Sequence, residues 1–141
     1  PEVALAMAGG APLNAVKDIT GLTLDAKASA TLRDLLARGR SLTPDSIVRG
    51  YSASMGIPAV ALHLSRWCYD LLRVKSGADP HFFIREKDVL EKIAADATMK
   101  NLLSLNAAVA EMRRSAEHPL APRQVWEGVL LVYARALGGQ V

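Results

Sequence analysis

Apolar and polar positions follow the three- and four-residue spacing of one-faced helices along most of this chain. Leu24, Ala28, Leu32 and Leu35 recur with Arg33, Asp34 and Arg38 turned the other way, which predicts a helix from Leu24 to about Ala37. Thr43-Pro44-Asp45 supplies an N-cap, a first-turn proline and an acid at the positive end of the helix dipole. The helix it opens carries Ile47, Val48 and Tyr51 and is expected to end near Gly56. Pro58 starts the next, which runs to about Lys75. Its polar residues His63, Arg66, Asp70 and Arg73 fall in one stripe about 80° wide. Val60, Leu62, Leu64, Trp67, Cys68, Tyr69, Leu71 and Leu72 fill the rest, which predicts a central helix with Trp67 and Tyr69 as core anchors.

Gly77-Ala-Asp-Pro-His81 reads as a loop, and Phe82-Phe83-Ile84 as one extended turn before a helix over Asp88 to Ala95. After a break at Asp96-Ala-Thr98, Leu102, Leu105, Val109, Met112 and Ala116 make a seam as narrow as that of a coiled coil. His118-Pro119 stops this helix, and Pro122 opens the last one, expected to lie antiparallel to it. Val125, Trp126, Val129, Leu130, Val132, Tyr133, Ala136 and Leu137 span an apolar arc of roughly 160°, wider than one packed face needs. Trp126, Leu130 and Tyr133 are the expected inward anchors. Leu131 falls on the polar side with Arg123, Glu127 and Arg135, either as an isolated exposed residue or, with Arg135, as a contact to another subunit. The stripe of Arg66 and Arg73 is the second candidate contact.

The amino end is punctuated differently. Residues 2 to 8 read as the tail of a helix stopped by Gly9-Gly10, and Pro12 opens a short helix that Gly21 closes. A chain that starts at Pro1 inside an apolar helical stretch is expected to be part of something longer.

Composition sharpens this picture. With 141 residues, half of them hydrophobic and only 5% aromatic, the chain suits one all-α bundle of five to six Ala- and Leu-rich helices better than a sheet. No apolar run approaches the ~18 residues of a membrane span, and no signal-peptide plan is present, so a cytoplasmic protein is expected. The single cysteine, Cys68, can form no internal disulfide and falls on an apolar face. A balance of 17 basic to 14 acidic residues is too even to argue nucleic-acid binding by itself. His63, His81 and His118 are scattered, with no H-E-x-x-H, no C-x-x-C and no phosphate loop, and Ser65 and His63 diverge on their helix. Neither a catalytic site, a metal, a cofactor nor a small-molecule substrate is expected.

Three segments together resemble the carboxyl-terminal part of the delta-prime subunit of bacterial DNA polymerase III, a component of the sliding-clamp loader. They are Leu5-Ala-Met-Ala-Gly-Gly-Ala-Pro-Leu-Asn-Ala-Val16, Arg66-Trp-Cys-Tyr-Asp-Leu-Leu72, and Glu117-His-Pro-Leu120 with Pro122-Arg123, continuing to Glu127 and Leu130-Leu131. The resemblance implies that residues 1–21 end an AAA+-type lid domain and that residues 22–141 form the helical collar by which the loader subunits assemble. It implies partners of the delta and gamma/tau type, an association with DNA only through that assembly, and no catalysis in this part of the polymerase holoenzyme. Leu13 stands where the related motor subunits carry a nucleotide-sensing arginine. Two positions depart from the family. Ala121 replaces a capping Asn at a cost of roughly 1 kcal/mol, and Gly128 lies mid-helix where an acid is common, at about 1 kcal/mol against Ala.

Two other classes compete. The helices around residues 24 to 54 have the spacing of a helix-turn-helix DNA reader, although the second offers Arg49 and no Lys, Asn or Gln for base edges. A helical enzyme without spacing motifs is the third reading.

Overall fold

The computed structural model describes residues 24–52, 55–115 and 121–139, and the elements within them are helical. In chain order these are α1 (Ala26–Ala37), α2 (Pro44–Gly50), α3 (Ile57–Lys75), α4 (Lys87–Asp96), α5 (Met99–Ser115) and α6 (Pro122–Ala136). Short 3-10 turns at Gly39–Ser41 and Ile84–Glu86 precede α2 and α4. This is the all-α bundle that the periodicity predicts. The expected lid-domain remnant at residues 1–21, with Leu13, lies outside the described residues, as do Ala116 and the 117–120 segment with His118.

Local chemistry sets most of the boundaries. Asp25 caps α1 by accepting from the Ala28 amide at 2.7 Å, so Leu24 precedes the helix instead of opening it. Thr43 caps α2 through the Ser46 amide at 3.1 Å, and Thr98 caps α5 through the Asn101 amide at 3.1 Å. At the end of α3 the Ala78 amide bonds back to the Arg73 carbonyl and the Gly77 amide to that of Val74, with Gly77 at φ 93°. That pair of bonds is a Schellman closure, which needs the left-handed glycine.

The exception is α2, which stops at Gly50 instead of continuing to Gly56. A Cβ on Gly50 would meet Leu35 Cδ1 at 2.6 Å and Trp126 Cζ2 at 3.4 Å, so the helix end is seated directly on α1 and α6. Tyr51 then turns extended and meets the Trp126 ring edge-on at 6.0 Å.

α3 is central, as its composition predicts: it packs on α5 and α4 and also touches α6. α5 packs on α6, whose other neighbours are α2 and the Gly39–Ser41 turn. One apolar core runs through all six helices, and Leu32, Leu36, Leu64, Trp67, Leu71, Leu90, Leu102, Trp126, Leu130 and Tyr133 are sealed in it. Four polar side chains that reach into this core, those of Trp67, Tyr133, Trp126 and Asn106, are paired there. Trp67 Nε1 donates to the Tyr133 hydroxyl at 2.9 Å, and that hydroxyl donates to the Leu36 carbonyl at 2.7 Å, joining α3, α6 and α1. Trp126 Nε1 donates to the Ile47 carbonyl at 2.7 Å, and Asn106 Nδ2 donates to the Cys68 carbonyl at 3.0 Å. An aromatic N–H or O–H in a dry core needs such a partner, because an unpaired one costs more than the bond returns. Burial, followed by the nearby Cys68, pushes the Tyr133 phenol far above its usual range, so it stays protonated and able to donate.

Tyr69 departs from the expected core. It is 44% exposed on the outer side of α3, where its ring meets the half-buried Phe82 at 5.9 Å. Two residues along a helix turn by roughly 200°, so a Tyr two positions after an inward Trp67 points away from the core.

Candidate functional site

The polar stripe of α3 does not face water along its length. The chain after α3 returns across it as a strap, residues 79–86, and the two groups nearest the core are buried beneath: His63 and Asp70. Asp70 holds the strap. Its Oδ1 accepts from the His81 amide at 2.8 Å, and its Oδ2 accepts from the amides of Phe82 at 2.9 Å and Phe83 at 2.7 Å. Three donors satisfy a carboxylate that has no other route to solvent, and they convert an otherwise costly buried charge into a backbone clamp.

The rest of the strap is fastened by side chains. Arg73 Nε donates to the Asp79 carbonyl at 2.8 Å, which sets its guanidinium 6.0 Å from the Tyr69 ring. Arg66 lies over the Phe82 ring at 5.3 Å. Lys87 pairs with Asp79 at 2.8 Å, and Arg33 of α1 pairs with Glu86 at 3.0 Å. Phe83 is buried between the rings of Trp67 and His63, edge-on to both at 5.1 and 5.0 Å. Burial first, then the charges of Arg33 and Arg66, lower the His63 pKa to about 4, so the imidazole is neutral at physiological pH. Neither His63 Nε2 nor Arg33 Nε meets a hydrogen-bond partner among the described residues.

The four candidate contact residues therefore separate. Arg66 and Arg73 sit together along the strap and engage its aromatic rings and backbone. Leu131 is half-buried against the edge of the core, not isolated on a polar face, whereas Arg135 is exposed. The wide apolar arc of α6 is met within the chain, by α5 on one flank and by α2 with the Gly39–Ser41 turn on the other. Its uncovered remainder is Val132, 40% exposed. Trp67, Trp126, Leu130 and Tyr133 are fully buried, as anchors should be.

A surface not singled out by periodicity lies on α5. Met99 and Leu103 are 37% and 56% exposed, and Ala107 and Ala110 continue their line outward at helical spacing. The narrow inward seam of Leu102, Leu105, Val109 and Met112 was legible, and the second stripe is what remains of the apolar residues once that seam is subtracted.

Among the described residues no group of three or more His, Cys, Asp or Glu is placed to hold a metal ion. Cys68 is sealed in the core, and burial pushes its thiol far above the usual range, away from nucleophilic chemistry. An open groove of about 310 Å³ lies between the ends of α1, α4 and α6, bordered by Arg38, Arg40, Lys92 and Asp96. Another, of about 280 Å³, follows the α1 to α2 contact, but its basic groups are engaged: Arg38 donates to Ser46 Oγ at 2.9 Å, and Arg49 pairs with Asp45 at 3.1 Å. No helix among the described residues is long and apolar enough to cross a membrane. Comparison of the chain with protein-family models, with curated proteins and with solved structures found no match.

Proposed function

We propose that this chain is a non-catalytic assembly domain, the collar of a delta-prime-like subunit that holds its place in the ring of the bacterial sliding-clamp loader during DNA replication. The observation that carries this reading is the exposed apolar line of α5, with Met99 and Leu103 turned to solvent from a helix that already has a complete inward seam. Large side chains of this kind, set at i and i+4 on a rigid helix, suit contact with a partner helix better than contact with water. The three-segment resemblance supports the identity of that partner, another loader subunit of the delta or gamma/tau type. It also supports a cytoplasmic location and the lack of any cofactor or small-molecule substrate.

The contact moves relative to the sequence expectation. Leu131 is packed against its own core, so α5 replaces Leu131 and Arg135 as the ring face. Pull-down of loader subunits from the same source by the full chain tests this. Leu103→Asp should leave melting unchanged and weaken capture at least tenfold, whereas Leu131→Asp should lower stability first. Equal capture by the Leu103→Asp variant refutes the α5 contact, and no capture by the parent chain refutes the assembly reading.

The helix-turn-helix alternative has less to rest on. α2 has seven residues, its one basic side chain pairs with Asp45, and its end is seated on α1. A recognition helix needs two or more turns standing clear of the body to enter a major groove.

A further inference from the structure

α5 carries two apolar lines. Leu102, Leu105, Val109 and Met112 are buried in the core, and Met99, Leu103, Ala107 and Ala110 are exposed on the other side. At 100° per residue, Met99, Ala107 and Ala110 all fall within about 40° of Leu103. Leu103 and Ala110 stand seven residues apart with Ala107 between them, the repeat by which paired helices mesh. Lys100 and Arg113, both exposed, flank this line on opposite sides, about 60° and 80° round from Leu103. Neither makes an ion pair with a described residue. The one acid of the helix, Glu111, is paired with Arg114.

We infer that the occupant of this line is an amphipathic helix of the partner subunit, crossing α5 at Ala107 and Ala110 with acidic residues on both edges of its apolar seam. The inference rests on the assembly reading and specifies the chemistry of the partner. A helix is required because the line offers no donor or acceptor. An extended segment laid on it would leave the amides and carbonyls of its near side against methyl groups, whereas a helix satisfies its backbone internally. Alanine at the crossing admits the partner backbone to an axial separation of about 8 Å, the short end of the range for packed helices. Met99 and Leu103 then fill the wider gap beyond the crossing. Charge disfavours a second copy: each α5 bears three basic residues and one acid already held by its own Arg114, so two of them together gather unbalanced positive charge. Acids on the partner reverse that sign at Lys100 and Arg113 and steer the encounter. A lipid surface is a poorer occupant, since it takes up bulky side chains and the alanine half of the line gives it little apolar area.

Isothermal titration of the full chain against purified delta- and gamma/tau-type subunits of the same source tests this. The parent chain is expected to bind one of them, with an affinity that falls as salt rises. Ala107→Leu with Ala110→Leu, both at exposed helical positions that leucine suits almost as well, should keep the melting temperature and weaken binding at least tenfold, because the added bulk holds the two backbones apart. Lys100→Glu with Arg113→Glu should weaken it at least tenfold and abolish its fall with salt. Equal or tighter binding by the double leucine variant would reduce the line to a plain apolar patch and overturn the crossing, and equal binding by the double glutamate variant would overturn the acidic edges. Either failure leaves the assembly reading standing as long as Leu103→Asp still weakens binding, whereas no binding by the parent chain refutes that reading and this inference together. Dimerisation of the parent chain, or its adsorption to phosphatidylglycerol vesicles, would also overturn the inference if Leu103→Asp abolished it, because the line would then have a different occupant.

Discussion

Replacing Asp70 by Ala should unfasten the strap and cost about 3 to 5 kcal/mol, because three hydrogen bonds to a charged acceptor are lost and a buried amide is left without a partner. The magnitude follows from where the three amides are left. His81 is exposed and Phe82 half-buried, so their N–H groups can recover water, whereas Phe83 is 4% exposed and its N–H has no such recourse. Each bond to an ionised acceptor contributes about 1.5 to 3 kcal/mol, and an orphaned buried amide costs about 1 to 3 kcal/mol. The cavity left by the carboxylate adds little, since the strap can settle into it. Loosening Phe83 reaches the core, because its ring lies against Trp67 at 5.1 Å. Against a total of ~5 to 15 kcal/mol, the variant should melt well below the parent. Asp70→Asn should cost less, because the amide oxygen can take over the Phe82 and Phe83 donors while its NH₂ group faces the exposed His81 side. Urea unfolding gives the ranking, and amide hydrogen exchange gives the location, with residues 81 to 83 losing protection before α3 does. A loss under about 1 kcal/mol for Asp70→Ala would refute the clamp, since the hydrogen-bond ledger alone requires more.

Two further predictions follow from single sites. The His63 pKa is lowered in the folded protein, from about 6.5 to about 4, so the unfolded chain binds the proton more readily; the contribution of His63 to stability is full above pH 6.5, falls by about 3 kcal/mol as pH drops to 4, and levels off below. The charged groups that face it are Arg33 and Arg66, with Glu86 held on Arg33, and His63→Gln should remove that part of the pH slope in chemical denaturation, whereas an unchanged slope would show that the imidazole is not the source. Gly128→Ala should stabilise α6 by roughly 0.5 to 1 kcal/mol, because its Cβ would meet no atom within 4 Å and only the backbone entropy of the helix changes; a lower melting temperature would mean that this face of α6 is covered.

Much of the bundle was legible because burial on a helix writes itself into spacing: the cap at Thr43, the inward seam of α5 and the anchors Trp67, Trp126, Leu130 and Tyr133 all lie where periodicity puts them. What stayed hidden depends on backbone groups, which carry no residue signature. The amides that Asp70 collects belong to a loop, so an apolar–polar reading of α3 separated the polar stripe from the core without finding what lies across it, although the run Pro80-His-Phe-Phe83 was apolar enough to suggest that something folds back. The end of α2 was set by a contact from another helix, the seat of Gly50 on Leu35, which no local rule contains. α6 failed in the opposite sense: its wide arc was read as wanting a second subunit, and the chain itself supplied the second cover through α2 and the Gly39–Ser41 turn.

Two exposed surfaces emerge from the same subtraction. Tyr69 and Leu103 were each counted toward apolar composition, yet each lies about half a turn or less from a core that is complete without it. α3 has its inward face in Val60, Leu64, Trp67 and Leu71, and α5 has its own in Leu102, Leu105, Val109 and Met112. An apolar side chain surplus to a filled core gains nothing from folding, and on a rigid helix it can lower free energy only by meeting something else. The two cases differ in what stands beside the surplus. Around Tyr69 it is Arg73 and the half-buried ring of Phe82; along α5 it is alanine, which lets another backbone come close. Leu103→Asp should therefore weaken assembly at least tenfold, and Tyr69→Leu should leave it intact. Loss of capture by Tyr69→Leu at an unchanged melting temperature would show that the contact is not confined to α5.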